Sequence, residues 1–183
     1  RRVSRQNQLL DELRRIDALT GLYDRGHWQE QAEATLRRHH ATDEPACLVM
    51  LDIDHFKQIN DQHGHTVGDE VLRALARIVL SNVRATDCAG RYGGDEFAIV
   101  LRGMHLDGAT AVAHRIREQV QALQLHEMPG LQFTTSMGVA TADHRHSSLR
   151  AWTNAADAEL YQAKAAGRNR VSASSMPDMA PVV

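Results

Sequence analysis

Cysteine, proline and long apolar runs are scarce in this 183-residue chain, and neither sign of charge dominates it. No apolar run approaches the roughly 18 residues that span a bilayer, and no N-terminal signal pattern is present. The net charge of −2 exerts no global pull toward nucleic acid or an anionic membrane, so phosphate binding must come from locally placed cations. The two cysteines, Cys47 and Cys88, have no metal-ligand spacing and fall in or beside expected strands. They read as reduced, buried thiols of a cytoplasmic protein. Internal repeats and low-complexity tracts are absent. What remains, at 43% hydrophobic residues, is one globular domain with a real core. The chain opens at Arg1, inside a helical pattern and without an initiator Met, which predicts a piece of something longer.

Residues 1–18 read as a polar helix on which Leu9, Leu13 and Ile16 form a narrow apolar seam. That seam is too short to define a coiled coil, which needs three or four heptads, so packing on its own domain and a stalk to an upstream domain both stay open. Gly21 breaks the pattern, and a helix is expected from about Arg25 to His39. Ala46–Ile53 is a continuous apolar run, as in a strand covered on both faces, and period two puts Asp52 and Asp54 on one side with Ile53 opposite. A short helix over His55–Asn60, a loop over Asp61–Gly68 and an amphipathic helix reaching Val83 follow, with Asp69 in that helix's first turn. Strands are expected at Cys88–Tyr92, Phe97–Leu101, Leu131–Ala140 and Arg170–Ser172. Helices fill the gaps, one capped by Asp107 and one running from Leu149 to Ala166 and ended by Gly167. The order predicts an α+β fold with a ferredoxin-like, palm-like β-α-β-β-α-β core: an antiparallel central sheet covered on one side by helices, plus an additional N-terminal helix. The expected organisation is a stalk or linker helix over 1–18, a catalytic domain over 19–172 and a disordered tail over 173–183.

The stretch Arg91-Tyr-Gly-Gly-Asp-Glu-Phe97 is the centre of this pattern. Gly93 and Gly94 signal a tight turn, because glycine takes φ > 0 without steric cost. The turn hangs Asp95 and Glu96 at the mouth of a sheet, where adjacent acids resist desolvation and call for a cation. Taken alone, the pair is either that or a solvated acidic turn. In the expected topology the end of the first strand lies beside this hairpin, so Asp52 approaches Asp95 and Glu96. Carboxylates gathered at one point suit Mg²⁺, which shares its remaining positions with water and substrate phosphates.

Five blocks, in order over residues 17–170, resemble the GGDEF-domain diguanylate cyclases, which make cyclic di-GMP from two GTP. They are Asp17-Ala-Leu-Thr-Gly-Leu22, Leu51-Asp-Ile-Asp-His-Phe-Lys-Gln-Ile-Asn-Asp61, His63-Gly-His-x-x-Gly-Asp69, the hairpin itself, and Lys164-x-x-Gly-Arg-Asn169. One departure is visible: Asp24 stands where the family usually has Asn, a change that bears on the turn before the second helix rather than on chemistry.

The resemblance implies roles. Asp52, the Ile53 carbonyl and Asp95 would hold Mg²⁺ (or Mn²⁺). Asn60 and Asp69 would read the guanine edge, and His65 would also touch substrate. Gly93 and Gly94 would let the backbone pass close to the triphosphate. Lys57, Lys164 and Arg168 would neutralise phosphates. Glu96 would help deprotonate the ribose 3′-OH, unless a metal-bound water does so. The product's two-fold symmetry implies a homodimer for catalysis. An upstream sensory domain is the expected source of control. Arg84-Ala-Thr-Asp87 matches the family's R-x-x-D inhibitory motif, with Arg115 where a second arginine often lies, so cyclic di-GMP would bind there as inhibitor. A local Arg84–Asp87 salt bridge is the competing reading. A GGDEF domain that binds nucleotide without turnover, and a dimerisation module with weak catalysis, are the rival functions. No nucleic-acid partner is expected.

The 11 histidines include His39-His40 and His144/His146, which read as surface positions without the ligand spacing of a zinc site. Trp28 and Trp152 fall on apolar helix faces and read as core rather than as base-stacking platforms.

Overall fold

The structure, a computed structural model, describes residues 2–13 and 15–174. In chain order its elements are α1 (Arg2–Leu13), α2 (Arg25–Thr42), β1 (Ala46–Ile53), α3 (Phe56–His63), α4 (His65–Asn82), β2 (Cys88–Arg91), β3 (Glu96–Arg102), α5 (Leu106–Ala122), β4 (Thr135–Thr141), α6 (Leu149–Ala165) and β5 (Val171–Ser174). The sheet order is β2-β3-β1-β4-β5. The pairings β2/β3, β3/β1 and β1/β4 are antiparallel, so the first four strands form the expected β-α-β-β-α-β core. β5 adds to the edge in parallel with β4.

β1 explains why the sheet sits where it does. Its alternation sends Cys47, Val49, Leu51 and Ile53 into one core with α4 and α5, and Ala46, Leu48 and Met50 into a second with α2 and α6. Helices therefore cover both faces, not one as the sequence order predicts: α2 and α6, which flank the β-α-β-β-α-β unit, supply the second layer. That layer packs tightly at Gly138 of β4, where a Cβ would stand 2.2 Å from the Ala156 carbonyl and the Leu160 amide of α6. Trp28 and Trp152 are buried core residues, and the Trp152 indole donates to the Ala140 carbonyl at 3.0 Å. Cys47 and Cys88 are free and buried, and burial pushes both thiols up to about 12.

Several boundaries differ from the sequence reading. The loop expected over Asp61–Gly68 shrinks to Gly64, whose φ of +85 lets one residue end α3 and begin α4. Asp69 thus lies past α4's first turn, and His65 is its first residue rather than a loop residue. Asp107 is in the first turn of α5, but His105 is the N-cap and no side chain caps that end. Leu131–Thr134 leads into β4 without ladder pairing, although Phe133 is buried. β5 runs through Ser174, so the tail expected from 173 begins inside a strand, and 175–183 lie outside the described residues. Leu9 and Ile16 of the N-terminal seam are exposed, and the side chain of Leu13 lies outside the described residues. Among the described residues no helix is long and apolar enough to cross a membrane.

Candidate active site

The hairpin between β2 and β3 is closed by Glu96, whose carbonyl accepts from the Tyr92 and Gly93 amides at 2.8 and 3.1 Å. Neither Gly93 nor Gly94 has positive φ, so turn strain is not why glycine stands there. Only at Gly93 is there a close approach, and it is to a flexible side chain. A Cβ on Gly93 would meet the Glu96 carboxylate at 3.0 Å, and Gly94 faces open space.

The Asp17-Ala-Leu-Thr-Gly-Leu22 block supports this turn. Asp17 accepts from the Thr20 amide and hydroxyl at 2.9 and 2.7 Å, and Gly21 takes the left-handed φ of +73. Arg91 then bridges outward, donating to the Gly94 carbonyl at 2.8 Å and to Asp17 at 3.3 Å. Burial opposes ionisation of Asp17, but Thr20 and Arg91 outweigh it and hold the carboxyl below the ordinary range. Tyr23 pins the block to the edge of β2, donating to the Ala89 carbonyl and accepting from the Arg91 amide. Asp24 caps α2 by accepting from the His27 amide at 2.8 Å, a role its carboxylate fills beside the helix N-terminus.

The β1/β3 register sets Asp52 opposite Glu96, and the Ile53 amide faces the Asp95 carbonyl at 3.4 Å. The end of β1 and the acid pair therefore meet, as the topology predicts. Asp52 is buried; one carboxylate oxygen pairs with the Lys164 ammonium from α6 and the other, Oδ1, is buried without any partner. Burial chiefly, with the nearby charges of Asp95 and Asp54, pushes its carboxyl up to about 6 even against Lys164. Glu96 is also raised, first by burial, then by Asp157 and Asp95. Asp157 on α6 is raised by burial. Two groups that sequence reading passed over thus belong to the cluster: Asp157, and Arg25, whose guanidinium lies 4.1 Å over the Tyr92 ring and whose charge reaches Glu96. The helical pattern put them on α6 and α2 but could not show which face met the hairpin. A groove of about 450 Å³ opens beside them, lined by Arg25, Tyr92, Thr153, Asn154 and Asp157 among others.

This is a mouth with excess negative charge, all-oxygen donors and one orphaned carboxylate oxygen, which suits a hard divalent cation. Among the described residues no three acid, histidine or cysteine side chains are already drawn to one coordination point. Two carboxylates and a backbone carbonyl do not need such a group.

The remaining candidates flank the mouth. α3 follows directly from β1, and Asn60 packs its amide against Gly68 of α4 so closely that a Cβ there would meet Oδ1 at 1.8 Å. That Oδ1 is buried and unpartnered. Asp69, the next residue, is half-buried, while Lys57 and His65 are exposed. Arg168 is exposed in a left-handed backbone, φ +65, just past α6. Its loop is held by Asp54, which accepts from the Asn169 amide at 3.0 Å, from Thr134 at 2.7 Å and from Ser136 at 2.6 Å. Asp54 is therefore a structural acceptor that ties β1, β4 and the loop bearing Arg168 together.

Away from the mouth, Arg84 makes the local pair: its guanidinium donates to Asp87 at 2.9 and 3.1 Å and to the Arg102 carbonyl at 2.6 Å. The Asp87 side chain is 1% exposed and also accepts from the Arg84 and Arg102 amides, at 2.7 and 3.2 Å. Arg115 donates to Asn82 Oδ1 at 2.8 Å, at the end of α4 just before Arg84.

Comparison with known proteins gives a consistent result. Residues 14–170 match the family described as "Diguanylate cyclase, GGDEF domain". The probable diguanylate cyclase DgcC of Escherichia coli K12 is 40% identical over 154 residues, covering 84% of this chain and 42% of DgcC. The chain thus spans about two fifths of that curated relative. The GGDEF domain of DgcB from Caulobacter crescentus, solved in complex with c-di-GMP, superposes with a TM-score of 0.82 at 32% identity, covering 87% of this chain and 92% of that one. The coiled coil and GGDEF domain of the same protein superpose at 0.86 and 31% identity, covering 94% of each chain. The chain belongs to the diguanylate cyclase GGDEF domain family.

Proposed function

We propose that this domain condenses two GTP molecules into cyclic di-GMP with release of pyrophosphate, each 3′-OH attacking the α-phosphate of the other GTP. The observation that carries this reading is the register that sets Asp52 against Glu96, beside Lys164, in a mouth where acids outnumber cations and one Asp52 oxygen is buried without a partner. Asp52, the Ile53 carbonyl and Asp95 would hold Mg²⁺ (or Mn²⁺), which when bound offsets the charge of the triphosphate and of the transition state. Lys164 is placed to exchange Asp52 for phosphate oxygens once that charge is balanced, and Arg168 and Lys57 are cations with room to follow. The open space at Gly94 leaves the triphosphate a backbone to lie against. Asn60, its Oδ1 unpartnered, and Asp69 form the guanine-reading pair, with His65 at the rim. Asp69 accepts from the N1–H and N2–H donors that adenine cannot present together.

Glu96 is the group to take the 3′-OH proton: its raised proton affinity brings it closer to the range a general base needs. One domain holds one GTP, so a C₂ pair of domains is required. Exposed Leu9 on α1 and exposed Ile16 just beyond it, in the N-terminal stalk of a domain running over 19–172, are suited to bring two chains together under an upstream sensory domain. The c-di-GMP complex of the Caulobacter relative supports cyclic di-GMP as a ligand of this domain, and the R-x-x-D motif supports Arg84, Asp87 and Arg115 as the place where it would inhibit. In that role Arg84 would turn its exposed guanidinium from the Arg102 carbonyl to the guanine, while Asp87 stays as its buried anchor.

The test is direct. Incubation with GTP and Mg²⁺ should yield cyclic di-GMP, separated by chromatography, and Asp95→Asn should slow it by about a hundredfold or more. Nucleotide binding without product at any domain concentration would instead favour the binding-module reading, and an unchanged rate in Asp95→Asn would remove the site.

A further inference from the structure

We propose that Arg25 is a further substrate-contacting residue, a fixed cation that donates to the GTP α-phosphate under attack; the assignment rests on the reaction proposed above. Arg25 is the first residue of α2, and its side chain is exposed yet held. The guanidinium lies 4.1 Å over the Tyr92 ring, and one Nη donates to the Tyr92 hydroxyl at 3.2 Å. The perch is held in turn. The Tyr92 amide donates to the Glu96 carbonyl at 2.8 Å, and the Tyr92 ring meets buried Trp28 edge-on at 5.5 Å. Among the described residues the guanidinium pairs with no carboxylate, although its charge reaches Glu96. A guanidinium has five N–H donors in a fork that matches phosphate oxygens, so most of this one's capacity is unused.

Placement decides what the fork meets. Asn60 and Asp69 belong to α3 and α4, which pack on one face of the sheet, whereas α2 and α6 pack on the other. A GTP read by that pair reaches the acidic mouth from the first face. The groove of about 450 Å³ between Arg25, Tyr92 and α6 opens on the second. Groove and mouth are joined along α6: Asp157 in the groove wall and Lys164 at Asp52 are two turns apart, and the charges of both reach Glu96. The groove is no general sink for anions, because Glu33 and Asp157 in its lining offset Arg25 and Arg150. A phosphate contact therefore has to be local to the guanidinium. In the proposed step the 3′-O–P bond forms as the bond to pyrophosphate breaks, and the 3′-OH proton passes to Glu96. The phosphate under attack thus lies beside the hydroxyl that Glu96 serves, and negative charge gathers there. A cation already oriented next to Glu96 meets that charge without reorganising.

The experiment compares Arg25→Ala with the wild type at a domain concentration where the rate per domain no longer rises. Two quantities are read: turnover at saturating GTP and Mg²⁺, and calorimetric affinity for 3′-deoxy-GTP, which lacks the attacking hydroxyl. Arg25→Ala should lose turnover by roughly a hundredfold and keep its affinity for 3′-deoxy-GTP within about threefold, because the contact serves the phosphate under attack. Retained affinity also shows that the variant folds. Turnover in Arg25→Ala within about threefold of the wild type would overturn the assignment, and so would equal losses of turnover and affinity, which mark a residue that only holds GTP or the fold. A wild type that forms no cyclic di-GMP would overturn the reaction proposed above and this assignment with it.

Discussion

Asp52 shows how a residue can be wrong for the fold and right for the site. Its carboxyl is pushed up to about 6, against 3.8 for an exposed aspartate, chiefly because burial penalises the charge. The folded state thus holds that proton more tightly than the unfolded chain. The stability this lends is full below about pH 4 and is lost as the pH rises through about 6. Asp52→Asn removes the titrating group. It should unfold like the wild type near pH 4 but be more stable near pH 7, by on the order of 2 kcal/mol, in metal-free denaturant titrations. Equal stabilities at the two pH values would contradict the assigned environment. Arg84 gives the second test at this scale. Arg84→Ala leaves Asp87 its backbone donors, so the variant should fold, and inhibition by added cyclic di-GMP should fall sharply in a turnover assay. Undiminished inhibition would leave the Arg84–Asp87 pair as a local salt bridge. The acids themselves were legible in the sequence because ionised carboxylates beside apolar strands have few other uses. The conformation of Gly93 and Gly94 was not: the pair signals positive φ in the sequence, and neither residue adopts it.

At the scale of elements, the sequence showed β1 plainly, since all eight of its residues are buried and Asp52, near its end, is the one polar position among them. It misplaced the start of α4 because Gly64 serves two helices at once, and neither end has a capping side chain to read. It missed the second helical layer because the pattern of a helix tells that it has an apolar face, not which side of a sheet that face will choose. Gly138 is where that layer is most sensitive. Within a strand, Gly→Ala ordinarily stabilises. Here the new methyl would meet α6 backbone at 2.2 Å, which cannot rotate away. Gly138→Ala should therefore destabilise by on the order of 1–3 kcal/mol and lower the melting temperature, and an unchanged or raised value would show that α6 shifts freely. Because α6 also carries Asp157 and Lys164, such a shift would reach the acidic mouth.

At the scale of the whole molecule, the proposed reaction leaves one domain presenting half of the chemistry. The mouth gathers Asp52, Asp95, Glu96 and Lys164 on one chain, and the proposed two-fold product would take its second GTP from a partner domain. The proposal of a partner rests on the symmetry implied by the family resemblance and not on any residue pattern. The measurement that tests the account most directly is the rate of cyclic di-GMP formation per domain, with saturating GTP and Mg²⁺, across a wide dilution series. The account predicts a rate per domain that climbs with concentration toward a plateau and is abolished throughout by Asp52→Asn. A rate per domain that stays flat on strong dilution, or that survives loss of Asp52, would contradict it.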